Sequence, residues 1–148
     1  MNDEEMMVHA IKLAKQASAI NEVPIGAVVF FEGEVVGEGI NRKETDNNPT
    51  SHAEILALSD AAKNLGRWRL HDCTLAVTLE PCPMCAGALV NSRIDRVVFG
   101  ASDQKSGACR TLYEIADDPR LNHRCKVTGG GLEKECIQLL GDFFKARR

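Results

Sequence analysis

Residues 73–101 read CTLAVTLEPCPMCAGALVNSRIDRVVFGA, and the order of elements within them indicates the class of fold. Cys73 to Leu79 is an apolar run rich in β-forming residues, and Arg96 to Phe99 is another. The prolines between them suit the first turn of a helix that we expect to end near Asn91. A strand, a helix and a second strand in this order predict parallel pairing, with the helix packed against the sheet.

Outside this stretch, the sequence adds helices at both ends and a hairpin before the central unit. The predicted elements are a helix from Asn2 to Ile20, strands Ile25–Phe31 and Glu34–Ile40 joined at Glu32-Gly33, a helix from near His52 to Leu65, a strand at Lys126–Thr128 and a helix from about Leu132. Residues 101–122 are irregular, with one short helix expected near Thr111–Ala116. Together these elements predict an α/β fold, in which helices sandwich a mixed central sheet of about five strands.

Length and composition predict a single soluble domain. The 148 residues match the usual size of one domain, and 44% apolar with 26% charged residues excludes a mainly disordered chain. No apolar run approaches the roughly 20 residues that a membrane helix needs. Asp3, Glu4 and Glu5 stand where a secretion signal would carry basic residues, so we expect a cytoplasmic protein. In a reducing cytosol, the six cysteines are expected to be free thiols or metal ligands.

Charge is distributed unevenly along the chain. The formal net charge of −3 argues against non-specific nucleic-acid binding by the whole protein. Residues 120–148, however, carry 7 basic and 3 acidic groups, whereas residues 1–119 carry 11 and 18. The C-terminal segment is therefore able to face a polyanion.

Two short motifs carry the chemistry: His52-Ala53-Glu54, and Pro81-Cys82-Pro83-Met84-Cys85. Cysteines three residues apart share one face of a helix, so both sulfurs can reach a single ion. In a first helical turn, the unpaired amides and the helix dipole favour their thiolate forms. Because two thiolates and an imidazole suit Zn²⁺, these motifs predict one zinc site formed by His52, Cys82 and Cys85.

Three protein ligands leave the fourth position of a tetrahedral zinc ion to water, which is typical of catalytic sites. Zinc lowers the pKa of bound water from 15.7 to about 7, and Glu54 is placed to transfer the protons. Both the CxxC motif and Glu54 have other roles in proteins. A CxxC motif can be a redox pair or half of a structural zinc site, and Glu54 can be a solvated capping residue. A structural site needs further closely spaced ligands, and Cys109, Cys125 and Cys136 are not so spaced.

A pairing of H-x-E with P-C-x-x-C is typical of zinc-dependent nucleobase deaminases. Nearly end to end, the chain resembles the bacterial tRNA-specific adenosine deaminases, whose fold is cytidine deaminase-like. The segments that carry the resemblance are Val23-Pro24, Gly26-Ala27-Val28, Glu38-Gly39, Asn41-Arg42, His52-Ala53-Glu54, Thr78 to Cys82, Cys85 to Ala88, Arg93-Ile94, Arg96 to Ala101, Asp103, Lys105, Gly107-Ala108, Asn122-His123, Asp142-Phe143-Phe144 and Arg147-Arg148. The zinc motifs are common to the superfamily, and the later segments point to the RNA enzyme.

The resemblance implies hydrolytic deamination of adenosine to inosine at the wobble position of a tRNA anticodon. By that resemblance, His52, Cys82 and Cys85 hold one Zn²⁺ per chain and Glu54 shuttles protons. Zinc-bound hydroxide would attack C6 of a flipped adenine and release ammonia. The implied partners are a tRNA anticodon stem-loop and a second copy of the chain, in a homodimer.

Substrate contacts are implied by the same resemblance for Val23, Asn41, Ala53, Asp103, Phe144 and Arg147. Asn41 would hydrogen-bond the purine, although an ordinary turn asparagine fits its local sequence equally well. Val23, Phe144 and Arg147 would contact the anticodon loop. Asp103 would lie close to the flipped nucleotide.

The last helix offers one aromatic and several basic side chains for RNA. Phe143 and Phe144 point about 100° apart on a helix, so Phe144 is free to stack on a base if Phe143 joins the core. A core or interface role for Phe144 stays open. Lys145, Arg147 and Arg148 suit phosphates, or they are simply solvated and complement the helix dipole.

Two alternatives to the tRNA deaminase remain at this stage. A free-base deaminase acting on guanine or cytosine would have the same metal site, and Pro83-Met84 is familiar from guanine deaminases. A non-catalytic zinc protein would instead need a fourth protein ligand, for which Cys73 is the available candidate, although this residue fits the start of a buried strand more simply.

Overall fold

The computed structural model describes residues 1–147 and contains four helices and five strands within them. In chain order they are α1 (Asp3–Ala19), β1 (Gly26–Phe31), β2 (Glu34–Ile40), α2 (Ala53–Leu65), β3 (Cys73–Leu79), α3 (Pro83–Asn91), β4 (Arg96–Ala101), β5 (Lys126–Thr128) and α4 (Glu133–Lys145). The five strands form one sheet in the order β2-β1-β3-β4-β5. The α/β class and the five-stranded mixed sheet predicted from the sequence are confirmed.

Strand direction changes at the middle of the sheet. The hairpin strand β1 pairs antiparallel with both β2 and β3, whereas β3, β4 and β5 are parallel to one another. The central strand–helix–strand unit has Thr74 opposite Arg96 at one end and Leu79 opposite Ala101 at the other. The parallel strands β3 and β4 therefore end side by side, at the edge where α/β proteins usually bind ligands.

Local chemistry explains where several elements begin and end. The side chain of Asn2 caps α1 by accepting a hydrogen bond of 2.8 Å from the Glu5 amide. Glu32 and Gly33 join β1 to β2 with φ angles of 52° and 77°, which is the backbone geometry of a two-residue hairpin turn. Gly66 ends α2 with φ 68° in the left-handed region.

Helices cover both faces of the sheet. One cluster of buried side chains packs α2 and α3 against the sheet, and a second packs α1 and α4 on the opposite face. Gly39 in β2 allows α2 to approach closely, because a Cβ atom at this position would overlap the carbonyl oxygen of Ala53. This contact fixes the first turn of α2 beside the end of β2.

One predicted element is wrong: residues 111–116 are largely irregular, with a turn at each end, rather than a short helix. Their amides have partners outside such a helix, since the Ile115 N–H donates to the carbonyl of Ala108 and the Tyr113 N–H to that of Gly107. The Thr111 N–H donates to the carboxylate of Glu80. No helix within residues 1–147 is both long enough and apolar enough to span a membrane.

Candidate active site

The starts of α2 and α3 bring the two sequence motifs together. His52 is the N-cap residue of α2, and Cys82 is the N-cap residue of α3, with Pro83 at the first helical position. Cys85 follows one turn into α3, on the same side as Cys82. The prediction that both motifs begin helices is confirmed.

The three predicted ligands form a group that could hold a metal ion. Their ligand atoms all lie within 4.8 Å of one another. The Nδ1 atom of His52 is 3.6 Å from Sγ of Cys82 and 3.5 Å from Sγ of Cys85. A tetrahedral zinc ion, with Zn–N and Zn–S bonds of about 2.0 and 2.3 Å, separates nitrogen and sulfur ligands by about 3.5 Å. The donor set and its spacing therefore fit Zn²⁺.

The site stabilises a thiolate beside an imidazolium. A hydrogen bond from the Cys85 thiol is the main influence that lowers the pKa of Cys82 to about 4, and His52 contributes further against the opposing effect of burial. The Cys82 thiolate in turn raises the pKa of His52. The same hydrogen bond raises the pKa of Cys85, because this thiol acts as its donor. A divalent cation in place of these protons would satisfy all three side chains.

Glu54 lies in the first turn of α2, only 4% exposed, and its side chain lines the same cavity as His52. Burial raises the pKa of its carboxyl to about 7, and the nearby Cys82 thiolate raises it further, while His52 opposes the shift. A bound cation would act in the opposite direction and favour the carboxylate. Buried beside the three ligands, the carboxyl of Glu54 is placed to exchange a proton with a group bound in the cavity. We call the lining residues His52, Glu54 and Cys82, together with the third ligand Cys85, the floor of the cavity.

A cavity of about 190 Å³ opens above the floor. Two loops, residues 41–50 and 102–111, contribute to its walls, and we call them the rim. Residues lining the cavity besides the floor are Val23, Ile25, Asn41, Lys43, Ala53, Leu79, Glu80, Asp103 and Ser106. Four of the six residues given substrate contacts by the resemblance are thus brought together here: Val23, Asn41, Ala53 and Asp103.

Asn41 connects two of the chain segments around the cavity. Its amide nitrogen donates to the carbonyl of Val23 at 3.4 Å, and its amide oxygen accepts from the Lys43 N–H at 3.2 Å. Asn41 is buried and directly follows β2. It therefore fixes the local backbone while lining the cavity.

Asp103 organises its own loop. Its carboxylate accepts hydrogen bonds from the amides of Lys105 and Ser106 at 2.9 and 3.2 Å, and from the Ser106 hydroxyl at 2.9 Å. The loop is therefore held in a tight turn with Asp103 and Ser106 on the cavity side.

Glu80 is a site residue for which the sequence analysis gave no role. It is 2% exposed, and its carboxylate accepts hydrogen bonds from the amides of Asp103, Cys109, Arg110 and Thr111 and from the Thr111 hydroxyl. Burial disfavours the charged form, but these donors outweigh it and lower the pKa of Glu80. Gly107 leaves room for this carboxylate, since a Cβ there would lie 2.5 Å from its Cδ. Glu80 thus holds the 102–111 loop to the end of β3.

A second buried carboxylate, that of Glu22, holds the other loop of the rim. It accepts hydrogen bonds from the Thr45 amide at 2.7 Å and from the Glu44 amide at 3.3 Å. Burial disfavours the charged form of Glu22. The hydrogen bonds from Thr45, with smaller effects from the Glu44 amide and the charge of Arg42, outweigh burial and lower its pKa. The only sequence signal for either carboxylate is its place beside a motif, before Val23-Pro24 or Pro81-Cys82.

The end of α4 does not line the cavity. Phe143 is buried, as expected, and Phe144 is 50% exposed with its ring edge-on to that of Phe143. Arg147 donates to the carbonyl of Phe143 at 3.0 Å and to the side chain of Asn21 at 2.8 Å, and its guanidinium lies 3.5 Å from the centre of the Phe143 ring. Its expected RNA contact stays a prediction, and Arg148 lies outside the described residues.

Cys73 is not close to the metal-binding group. It begins β3, where it pairs with Phe31, whereas Cys82 follows the opposite end of the same strand. Within residues 1–147, the group that could hold a metal ion contains only His52, Cys82 and Cys85. Cys73 therefore does not supply the fourth ligand that a structural zinc site needs.

Comparison of the sequence with known proteins finds deaminases. A family model described as MafB19-like deaminase matches residues 1–148. The tRNA-specific adenosine deaminase of Haemophilus influenzae is 50% identical over 147 residues, which cover 99% of this chain and 85% of that protein.

Solved structures agree with the sequence relatives. A structure from a study of A-to-I editing by tRNA:A34 deaminases, at the wobble position of transfer RNA, has a TM-score of 0.88 and 39% identity. The matched region spans 92% of this chain and 99% of the chain in that structure. The guanine deaminase of Bacillus subtilis is also 39% identical, but with a TM-score of 0.66 and coverage of 69% of this chain and 66% of its own.

Proposed function

The chain belongs to the tRNA-specific adenosine deaminase family, and we propose that it hydrolyses adenosine at the wobble position of a tRNA anticodon to inosine. Water replaces the amino group on C6 of the purine, and ammonia leaves. The observation that carries the proposal is the floor of the cavity, where a His/Cys/Cys group spaced for zinc faces the buried Glu54. Residues 1–148 would act as one zinc-dependent deaminase domain.

In this proposal, His52, Cys82 and Cys85 hold one Zn²⁺ per chain. The ion supplies a Lewis acid that makes water nucleophilic at neutral pH. The helix starts contribute as well, because Cys82 and Cys85 lie where helix dipole and free amides favour thiolates. The spacing of the ligands supports this assignment, since all three ligand atoms lie within 4.8 Å of one another.

Glu54 is the proton-transfer residue of this proposal. Its carboxylate would take one proton from the attacking water and pass it to the purine ring. It would then take the second proton from the new C6 hydroxyl and deliver it to the amino nitrogen, so that ammonia leaves and C6 becomes a carbonyl. Burial supports this role, because a carboxyl whose pKa is raised by burial holds a transferred proton more readily than a solvated one.

The cavity supports recognition of a single flipped base. Asn41, Val23, Ala53 and Asp103 surround a space of about 190 Å³, and enzymes that act on a nucleobase place it in such a pocket. Asn41 has amide groups suited to hydrogen bonds with the purine. An anticodon loop suits this pocket because its nucleotides are unpaired and able to splay outward.

Phe144 and Arg147 would contact the anticodon loop from the end of α4. The exposed ring of Phe144 supports this assignment because aromatic rings stack on unpaired bases. With about three phosphates contacted, log affinity should fall against log salt with a slope near −2. We further propose that the enzyme works in the cytoplasm as a homodimer.

The rival activity is deamination of a free base. The relationship to the Bacillus subtilis guanine deaminase is partial, since 69% of this chain is covered. The tRNA-specific relative matches at 50% identity over nearly the whole chain, including the segment that carries Phe144 and Arg147.

The experiment that tests the proposal compares substrates directly. Purified protein is incubated with an anticodon stem-loop carrying adenosine at the wobble position, and separately with guanine and with cytosine. Inosine in the RNA, with no ammonia from either free base, supports the proposal. Ammonia from guanine or cytosine, with no inosine, refutes it.

A further inference from the structure

Lys43 is the one lysine or arginine among residues 1–147 that lines the cavity. The other titratable residues there are the ligands His52 and Cys82 and the carboxylic acids Glu54, Glu80 and Asp103. A neutral purine inside the cavity gives this cation no partner of opposite charge. The position of Lys43 on the 41–50 loop of the rim therefore calls for a different explanation.

The ammonium group of Lys43 has no ion-pair partner within the described part of the chain. Its neighbour Arg42 does have one, since the Nε atom lies 3.0 Å from Asp46. The carboxylate of Asp103 is occupied by donors of its own loop. Lys43 is thus exposed, charged and free to bind an external anion.

The backbone around Lys43 is fixed on both sides. Its own N–H donates to the Asn41 side chain at 3.2 Å, and its carbonyl accepts from the Asn48 N–H at 3.0 Å. The next two amides, of Glu44 and Thr45, donate to the buried carboxylate of Glu22. These contacts fix the backbone of Lys43 beside the cavity, so that its charged side chain extends from a loop that is held in place.

We propose that Lys43 binds a phosphate of the RNA strand next to the nucleotide whose base enters the cavity. The inference rests on the proposed function. A flipped base fills the cavity, while its ribose and the two flanking phosphates stay outside, where the rim supplies this cation. Arg147 is less available, because its guanidinium already contacts Asn21 and Phe143. Lys43 is therefore a substrate-positioning residue of the rim.

The first test measures binding of an anticodon stem-loop to Lys43→Gln across a range of salt concentrations. Loss of one phosphate contact should reduce the magnitude of the log–log salt slope by about 0.7. If wild type and variant bind equally at a 1 M reference, the variant should then bind about fivefold more weakly than wild type at 0.1 M. Lys43→Arg keeps the charge and should restore the slope. Lys12→Gln, an equal charge change at an exposed position in α1, should leave the slope at the wild-type value.

A second test removes the charge from the RNA instead. A methylphosphonate linkage is placed on either the 5′ or the 3′ side of the wobble nucleotide, and each RNA is bound to wild type and to Lys43→Gln. One of the two linkages should weaken binding to wild type but have little further effect on the variant, because both changes remove the same contact.

The outcomes separate this inference from the proposed function. If wild type forms inosine but Lys43→Gln keeps the wild-type slope, or neither linkage couples to Lys43, the phosphate contact is refuted and the deaminase survives. If wild type forms no inosine and its RNA binding does not depend on salt, both proposals fail.

Discussion

The floor and the rim of the cavity hold their residues in place by different means. Floor residues sit at the starts of α2 and α3, so regular helices fix them within one turn of each motif. Rim residues lie on loops, which are held by the buried carboxylates of Glu22 and Glu80. Secondary structure thus positions the side chains of the floor, whereas the positions of the rim side chains depend on hydrogen bonds between residues distant in the chain.

Because of this difference, we expect substitutions in the floor and in the rim to impair different properties of the protein. Changing a floor residue removes a reacting group but leaves the loops in place. Changing a carboxylate below the rim leaves the reacting groups in place but releases the loop that carries Asp103 or Lys43. Turnover should therefore be most sensitive to the floor, and RNA binding and stability to the rim.

The largest effect is expected for Glu54→Ala. General acid–base groups typically accelerate a reaction by about 10²- to 10⁴-fold, so kcat for inosine formation should fall by at least about 10²-fold. His52, Cys82 and Cys85 are unchanged, so zinc content by metal analysis should stay at one ion per chain. Turnover near the wild-type rate in this variant would contradict the proton-transfer role of Glu54.

The next largest effect is expected for Glu80→Gln. An amide can keep its oxygen towards the N–H groups of Cys109, Arg110 and Thr111, but its NH₂ group then faces the Asp103 N–H. One unsatisfied buried donor costs about 1–3 kcal/mol, and urea unfolding should show a loss of that size in the free energy of unfolding. Because Asp103 is released, KM for the stem-loop should rise more than kcat falls.

A matched control for that variant is Glu38→Gln, at an exposed position on β2. Surface changes of this kind usually stay within about 0.5 kcal/mol. If both variants lose the same stability, or if Glu80→Gln leaves KM unchanged, the carboxylate does not hold the rim as described.

Glu80 should also make stability depend on pH. Its pKa is lowered in the folded protein, so its contribution is fully present above the unfolded value of 4.5 and is lost as pH falls through the lower folded value. The free energy of unfolding of wild type should therefore decrease through this acidic range. The difference between wild type and Glu80→Gln should shrink there, and a difference that stays constant would contradict the assignment.

A smaller effect is expected for Glu22→Gln, on the opposite side of the rim. The amide oxygen can keep the 2.7 Å bond from Thr45 and give up the weaker 3.3 Å bond from Glu44. A loss of about 1 kcal/mol in the free energy of unfolding is expected from urea unfolding. RNA binding should weaken because the backbone beside Lys43 is freed, and a KM equal to that of wild type would argue against this.

The smallest effect is expected far from the cavity, for Asp3→Asn. Asp3 accepts two hydrogen bonds from Arg96 at 2.6 and 2.5 Å, which lower its pKa against the opposing effect of burial. The pair is partly exposed, so a loss of about 0.5 kcal/mol is expected, with no change in kcat or KM. The stabilisation is present above the unfolded pKa of 3.8 and is lost as pH falls through the folded value.

Glu4→Gln provides the control for Asp3→Asn, because Glu4 shares the first turn of α1 but is exposed. Any effect common to both variants comes from the helix dipole rather than from the ion pair. Equal losses in the two variants would show that the Arg96 contact contributes nothing measurable.

Sequence reasoning predicted the floor but only part of the rim. Residue spacing within one helix places Cys82 beside Cys85, and N-terminal signals place His52 at a helix start, so the motif contains the geometry. The hydrogen bonds of Glu80 join residues 23 to 31 positions apart, and no local pattern records them. The same bonds explain why Thr111–Ala116 does not form the expected helix.

The arrangement of the two phenylalanines at the end of α4 was predictable for a related reason. Adjacent positions on one helix point about 100° apart, which distinguishes buried Phe143 from half-exposed Phe144. The contact of Arg147 with Asn21 joins opposite ends of the chain and was not predictable. Regular periodicity thus carries information about burial, but not about which loop a surface side chain meets.

The most direct measurement combines metal content with product identity. Protein stripped of metal and protein reloaded with Zn²⁺ are each incubated with the anticodon stem-loop, and the digested RNA is analysed by mass spectrometry. We expect inosine at the wobble position only after reloading, with one ion bound per chain. Full inosine formation by the metal-free protein, or binding of zinc with no inosine formed, would contradict this expectation.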